Sequence, residues 1–170
     1  VERKDLGAAD MKALEIGTSV TFAKETYAEV ISEIKRLLEL HWEEIALLKN
    51  KIPLDPDYDK YQELEKLGMM HFLTARNEVN ELVGYNIFTI FNHIHYKSTP
   101  MAQIDIMFME QSYRKGRNGI RFLKFFESES KKLGVKKLIG GTKEHFDIGK
   151  LFEYLDWTPT DRMYSKWIGD

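Results

Sequence analysis

The sequence predicts an α+β fold: a mixed, mostly antiparallel sheet flanked by helices. Three observations carry this. Apolar residues recur at helical spacing between residues 26 and 68. From residue 69 they give way to β-branched and aromatic runs separated by short polar turns. From residue 118 helical and strand patterns alternate to the end.

Residues 1–19 are weakly patterned and read as an arm, with one domain over 20–170. "SVTFAKE" (19–25) suits a short strand, and "TYAE" (26–29) is a capping box in which Thr26 and Glu29 satisfy each other's amides. Ile31, Ile34, Leu38, Trp42, Ile45 and Leu48 then follow a helical period, with a break expected near His41. Asp55 reads as an N-cap with Pro56 at the first helical position and Gly68 as the stop. "MMHFLTAR" (69–76) and "ELVGYNIFTIFNHIHYK" (81–97) read as a hairpin around "NEVN", and "MAQIDIMFM" (101–109) as a third, central strand. Asn118–Leu133 reads as a helix stopped by Gly134, residues 135–142 as a strand, 146–156 as a short helix and "DRMYSKWI" (161–168) as a last strand.

Composition narrows the function classes. The 170 residues are 43% hydrophobic and 12% aromatic, enough for one sizeable core, and the net charge is -2. No global field attracts nucleic acid or an anionic surface. The absence of cysteine removes disulfides, thiolate metal sites and a Cys nucleophile. No secretory signal and no run of 18 apolar residues is evident, so a soluble, cytoplasmic protein without membrane contact is expected.

The most informative stretch is "QSYRKGRNGIRFLKFFE" (111–127), a Gly- and Arg-rich turn between a strand and a helix. The first amides of a helix have no backbone acceptors and lie at the positive end of its dipole. Such a turn suits an anion, though a solvated basic helix start fits the spacing equally. No G-K-[ST] follows, so it is not a P-loop, and Arg114 breaks the dinucleotide G-x-G-x-x-G.

The order of elements resembles the GNAT superfamily of acyl-CoA N-acyltransferases. "RKGRNG" (114–119) stands where that family carries Q/R-x-x-G-x-G/A, and "LFEYLDW" (151–157) is similar to its "LYEKLGF" segment. "HIHYK" (93–97), the Asp of the following strand and "MYSK" (163–166) resemble a group of small acyltransferase-like proteins encoded by tailed bacteriophages. Two positions depart from the family: Arg117 replaces the inner glycine, and Phe152 stands where a Tyr acid is common.

The resemblance implies direct transfer of an acyl group, acetyl first, from acyl-CoA to an amine, with the acyl-CoA as co-substrate and no metal. It places the pyrophosphate on amides of Lys115, Gly116, Arg117, Asn118, Gly119 and Ile120, with Arg114 beside them. It lays the pantetheine along Phe108 and Met109, near Lys143 and His145. An ammonium must lose a proton before it attacks. Asp105 is the first candidate base, on a strand face read as shared with Gln103, Met107 and Met109, where apolar neighbours would raise its pKa. A structural, hydrogen-bonded Asp is an equal reading. His95, beside His93, is a second candidate. The i, i+2 pair lacks a third metal ligand. Tyr164, Tyr96 and His145 are candidate acids. The alternatives are a GNAT-shaped binding or virion-associated protein and, with less support, a nucleic-acid binder using "YRKGR". A homodimer is left open, as is the acceptor.

Overall fold

The computed structural model describes residues 19–169. The expected arm over residues 1–19 therefore lies, but for its last residue, outside the described residues.

The chain opens with strand β1 (Thr21–Glu25), then helix α1 (Tyr27–Ile45) and helix α2 (Tyr58–Lys66). Strands β2 (Met70–Arg76), β3 (Leu82–Asn92) and β4 (Pro100–Met109) follow as a meander. A turn leads to α3 (Asn118–Lys132), a three-residue β5 (Lys137–Ile139) and the short α4 (Gly149–Tyr154). The sheet order is β1-β2-β3-β4-β5, antiparallel except for the β4–β5 pair. The fold class expected from the sequence is the one observed.

The sheet separates two apolar layers. On one face Val30, Ile34, Leu37 and Leu38 of α1 meet Phe72, Tyr85, Ile87 and Phe108. On the other, Phe122 and Phe126 of α3 meet Leu73, Val83, Phe88, Ala102 and Met109. These buried positions of α1 fall at three- and four-residue spacing, as an amphipathic helix requires. The Thr26 amide donates to the Glu29 carboxylate at 2.7 Å, the return half of the capping box.

Five local expectations are corrected. α1 does not break near His41. The imidazole is buried on the same stripe as Ile34 and Leu38, and the helix runs on to Ile45. α2 is capped by Asp57, not Asp55, because the Asp57 carboxylate accepts the Lys60 amide at 2.9 Å. β3 stops at Asn92, so "HIHYK" is not strand. Its amides are spent locally: Tyr96 donates to the His93 carbonyl and Thr99 to that of Tyr96. Residues 161–168 form no strand and are exposed; β5, only three residues long, gives them no ladder.

The fifth correction concerns Asp105. Opposite β4, Ile87 pairs with Ile106 but Phe88 pairs with Ile104, leaving Asp105 as the extra residue of a β-bulge. The two-residue alternation slips there. Ile104, Met107 and Met109 pack on the α3 face, whereas Ile106 and Phe108 pack on the α1 face. Asp105 acts electrostatically on Tyr61 and Tyr85, which belong to the α1 face. It therefore does not share a face with Met107 and Met109.

Candidate functional site

β4 is paired with β3 along its length but with β5 only over Met101–Gln103. Beyond Gln103 no strand stands on that side among the described residues, so the second half of β4 has an open edge there. Glu110 N–H donates to the Val83 carbonyl at 2.8 Å, and Phe108 stands opposite Tyr85. Alternation in an antiparallel ladder then turns the backbone of Phe108 toward β3 and that of Met107 and Met109 toward the open side. The Met109 carbonyl agrees with this: Arg114 Nε donates to it at 2.6 Å. Of the two positions expected to meet a ligand through the backbone, Met109 presents its amide outward and Phe108 does not.

The amide-rich turn stands at the end of this edge. Gly116 takes φ +64, a conformation glycine adopts without strain, and a side chain there would meet nothing within 4 Å. The buried Asn118 side chain closes the turn by donating to the Tyr113 carbonyl at 3.0 Å. The first helical bond of α3 runs from Arg121 N–H to the Arg117 carbonyl. Among the described residues no acceptor stands on the amides of Gly116, Arg117, Gly119 or Ile120. Lys115 and Arg117 are exposed, so the Arg117 side chain does not fill the turn. Gly119 faces α4 instead of open space: an added Cβ would lie 3.3 Å from Leu151 Cδ1.

Arg114 is engaged by the protein itself. Its guanidinium forms a fork to the Glu44 carboxylate (2.5 and 2.7 Å), tying the turn to the last turn of α1. It also lies between the rings of Phe108 (5.3 Å) and Phe146 (5.4 Å). The loop after β5 closes over the same region. Lys143 and Phe146 form a β-bridge, and His145 Nε2 donates to the Ile45 carbonyl at 3.1 Å.

Two further expected residues are not brought here. His95 is exposed in the β3–β4 turn, at the other end of β4 from Met109; nine strand residues separate them, about 30 Å. Its ring lies against His93 at 5.4 Å. Tyr164 is 86% exposed on the C-terminal segment.

The sequence reading missed His41 and Tyr85. His41 Nδ1 lies 2.7 Å from the Tyr85 hydroxyl, and its ring stacks on Phe108 at 5.0 Å. Burial first, then the Arg114 and Lys143 charges, depress its pKa to about 4 against the opposing pull of Glu44. Asp105 is exposed to solvent, and partial desolvation raises its carboxyl above its usual range. Burial and then the Asp105 charge push Tyr61 up to about 12. Burial, then Tyr61, then Asp105 hold Tyr85 higher still. A carboxylate, two phenols and a neutral imidazole thus share the α1 side of β4. The signal for His41 was its phase: it falls three residues after Leu38, on the buried stripe.

No protein-family model matches the chain, and no curated protein matches it either. Solved structures do. Ribosomal-protein-alanine N-acetyltransferase from Brucella melitensis biovar Abortus 2308 is 16% identical, with 89% of this chain and 100% of that one covered and a TM-score of 0.65. A predicted acetyltransferase from Clostridium acetobutylicum solved with acetyl-CoA is 14% identical, covering 88% and 97%, with a TM-score of 0.67. A transcriptional regulator from Bacillus halodurans C-125 is 17% identical, covering 88% and 100%, with a TM-score of 0.70. At these identities the likeness is one of fold, and the fold is that of the GNAT acetyltransferases.

Proposed function

We propose that the chain is an acyl-CoA-dependent N-acyltransferase, acetyl-CoA being the first donor to test. The observation that carries the reading is the open edge of β4 ending at a turn whose Gly116, Arg117, Gly119 and Ile120 amides have no acceptor among the described residues. A long ligand with an anionic diphosphate at one end and an amide-bearing arm at the other fits both features. The amides of Gly116–Ile120, with Lys115 and Arg117 swung outside, would hold the diphosphate. The outward amide of Met109 would meet the pantetheine or polarise the thioester oxygen. Arg114, already committed to Glu44 and the Met109 carbonyl, would set the shape of the site. Lys143 and His145 flank it from the loop after β5.

The acceptor would approach from the α1 side, where Asp105 is near enough to Tyr61 and Tyr85 for its charge to act on both phenols. Asp105 has no ion-pair partner among the described residues. Its carboxylate would attract an ammonium and take its first proton, with a raised pKa that suits a base. His95 and Tyr164, in their present positions, have no part in this reading. The likeness to phage-encoded proteins rests on the sequence motifs alone.

A second reading, a GNAT-shaped binding or virion-associated protein without catalysis, draws on Phe152. Its buried ring packs on Trp157 at 5.0 Å and supplies no hydroxyl where the family often has one. Calorimetric titration with acetyl-CoA decides between the two. Micromolar binding and thiol release with an amine support the enzyme. Binding of no acyl-CoA removes it.

A further inference from the structure

We infer that His41, oriented by Tyr85, carries the second proton of the acyl transfer, from the attacking nitrogen to the leaving thiolate. The inference rests on the acyl-transfer reading above and adds a residue to it.

The placement comes from five elements. The ring stacks on Phe108 of β4, the neighbour of the outward-facing Met109, and is tied at Nδ1 to Tyr85 of β3. The charged groups that face it are Glu44 from its own helix, Arg114 from the turn before α3 and Lys143 from the loop after β5. A side chain that feels both the turn beyond β4 and the loop beyond β5 stands at the head of the open edge. Nε2 is the informative atom. It has no hydrogen bond among the described residues. The fully buried side-chain polar atoms without partners, among the described residues, are on Asn86 and Ser130, and Nε2 is not one of them. The His41 residue as a whole keeps 7% of its surface exposed.

With Nδ1–H donated to the phenol oxygen, Nε2 carries a lone pair. After Asp105 has taken one proton, the neutral amine attacks the thioester carbon and the C–N bond forms. The nitrogen, now positively charged, gives a proton to Nε2. The C–S bond breaks, and the imidazolium passes that proton to sulfur, leaving an amide and a free thiol. The final transfer is downhill, because an imidazolium with a pKa of about 4 faces a thiolate with a reference pKa of about 8.5. This supplies the proton that Phe152 cannot.

The test uses the full chain with ring-15N histidine and acetyl-CoA as the probe. Above pH 5, His41 is expected to be neutral with the proton on Nδ1, and its Nε2 resonance is expected to move on adding acetyl-CoA. Tyr85→Phe should mix the two tautomers while acetyl-CoA affinity stays within about twofold. With n-butylamine as probe amine, His41→Gln should slow thiol release by about 100-fold or more at unchanged affinity. A protonated Nε2, an Nε2 resonance indifferent to bound acetyl-CoA, or an undiminished rate in His41→Gln overturns the inference. A chain that binds no acetyl-CoA overturns the acyl-transfer reading and this inference with it, whereas binding beside an unresponsive Nε2 overturns the inference alone.

Discussion

The Tyr85 hydroxyl lies 2.7 Å from His41 Nδ1, joining the middle of the sheet to the last turns of α1 through one buried hydrogen bond. A neutral imidazole is accommodated there; an imidazolium is not, because burial and two nearby cations oppose its charge.

The first prediction follows from that opposition. The folded-state pKa of His41 is lowered from 6.5 to about 4, so below pH 6.5 the unfolded chain binds a proton that the folded chain refuses. Stability from this group is fully present above pH 6.5 and is lost as pH falls toward 4, about 3 kcal/mol in all. Urea unfolding at pH 7 and pH 4.5, in wild type and His41→Gln, isolates it from carboxylates titrating nearby. The wild type should lose more than the variant over this window. Equal losses would mean that His41 is not shielded in solution.

A second prediction concerns the strap between α1 and the turn. Arg114 forks to Glu44 and also donates to the Met109 carbonyl, with both side chains a little over a quarter exposed. Arg114→Lys keeps the charge but not the planar fork. It should cost about 1–2 kcal/mol and weaken acetyl-CoA binding by loosening Met109. The same measurements on Glu44→Gln should show a smaller effect in the same direction. If Glu44→Gln changes neither stability nor affinity, the fork does not hold the site.

Gly84 supplies a third. A Cβ there would lie 2.8 Å from the Phe108 carbonyl oxygen and 3.3 Å from Ala75 Cβ, so β3 and β4 approach too closely for any side chain. Gly84→Ala should destabilise by about 1–3 kcal/mol. It should also speed hydrogen exchange at the amides of Phe108 and Glu110, which bond across to β3. Wild-type exchange rates at both would show that the approach is looser than 2.8 Å.

The charges of the turn give a fourth. Lys115 and Arg117 are exposed and their side chains make no hydrogen bond or ion pair among the described residues, so reversing both to Glu should leave the melting temperature unchanged. It should weaken acetyl-CoA binding at least about tenfold if a diphosphate sits on the amides beside them. Unchanged affinity would move the diphosphate elsewhere. Gly119→Trp is a poorer probe, because Gly119 faces Leu151 and a large ring would displace α4 first.

Much of this architecture is legible in the chain because it depends on period alone. The hairpin, β4 and α3 follow from alternation and helical phase, and the amide turn follows from Gly116 and the helix start. What was not legible depends on partners distant in sequence. His41 looks like an interruption until Tyr85, 44 residues on, is seen to satisfy it. "MYSKWI" has a strand's composition, but a strand also needs a neighbour, and β5 is too short to offer one. The bulge at Asp105 leaves no mark in β4 itself; it is the register against Ile87 and Phe88 that reveals it.

That bulge leads to the last prediction. By slipping the alternation, it turns Asp105 away from the Met107–Met109 face and toward Tyr61 and Tyr85, the side from which an acceptor would approach. Asp105 is exposed to solvent, and partial desolvation by its surroundings raises its carboxyl above the ordinary value, so the folded state disfavours the charged form only weakly. Two consequences separate stability from activity. Asp105→Asn removes an exposed charge whose desolvation is small, and so should be near neutral for stability at pH 7. The same change removes the group proposed to draw in an ammonium and accept its proton, and so should lower acyl transfer by about 100-fold or more at unchanged acetyl-CoA affinity. Unfolding, calorimetry and thiol release on one preparation measure all three. A variant that keeps full transfer eliminates Asp105 as the base. A variant that loses stability along with activity makes Asp105 a structural residue, held by hydrogen bonds that the charged form requires.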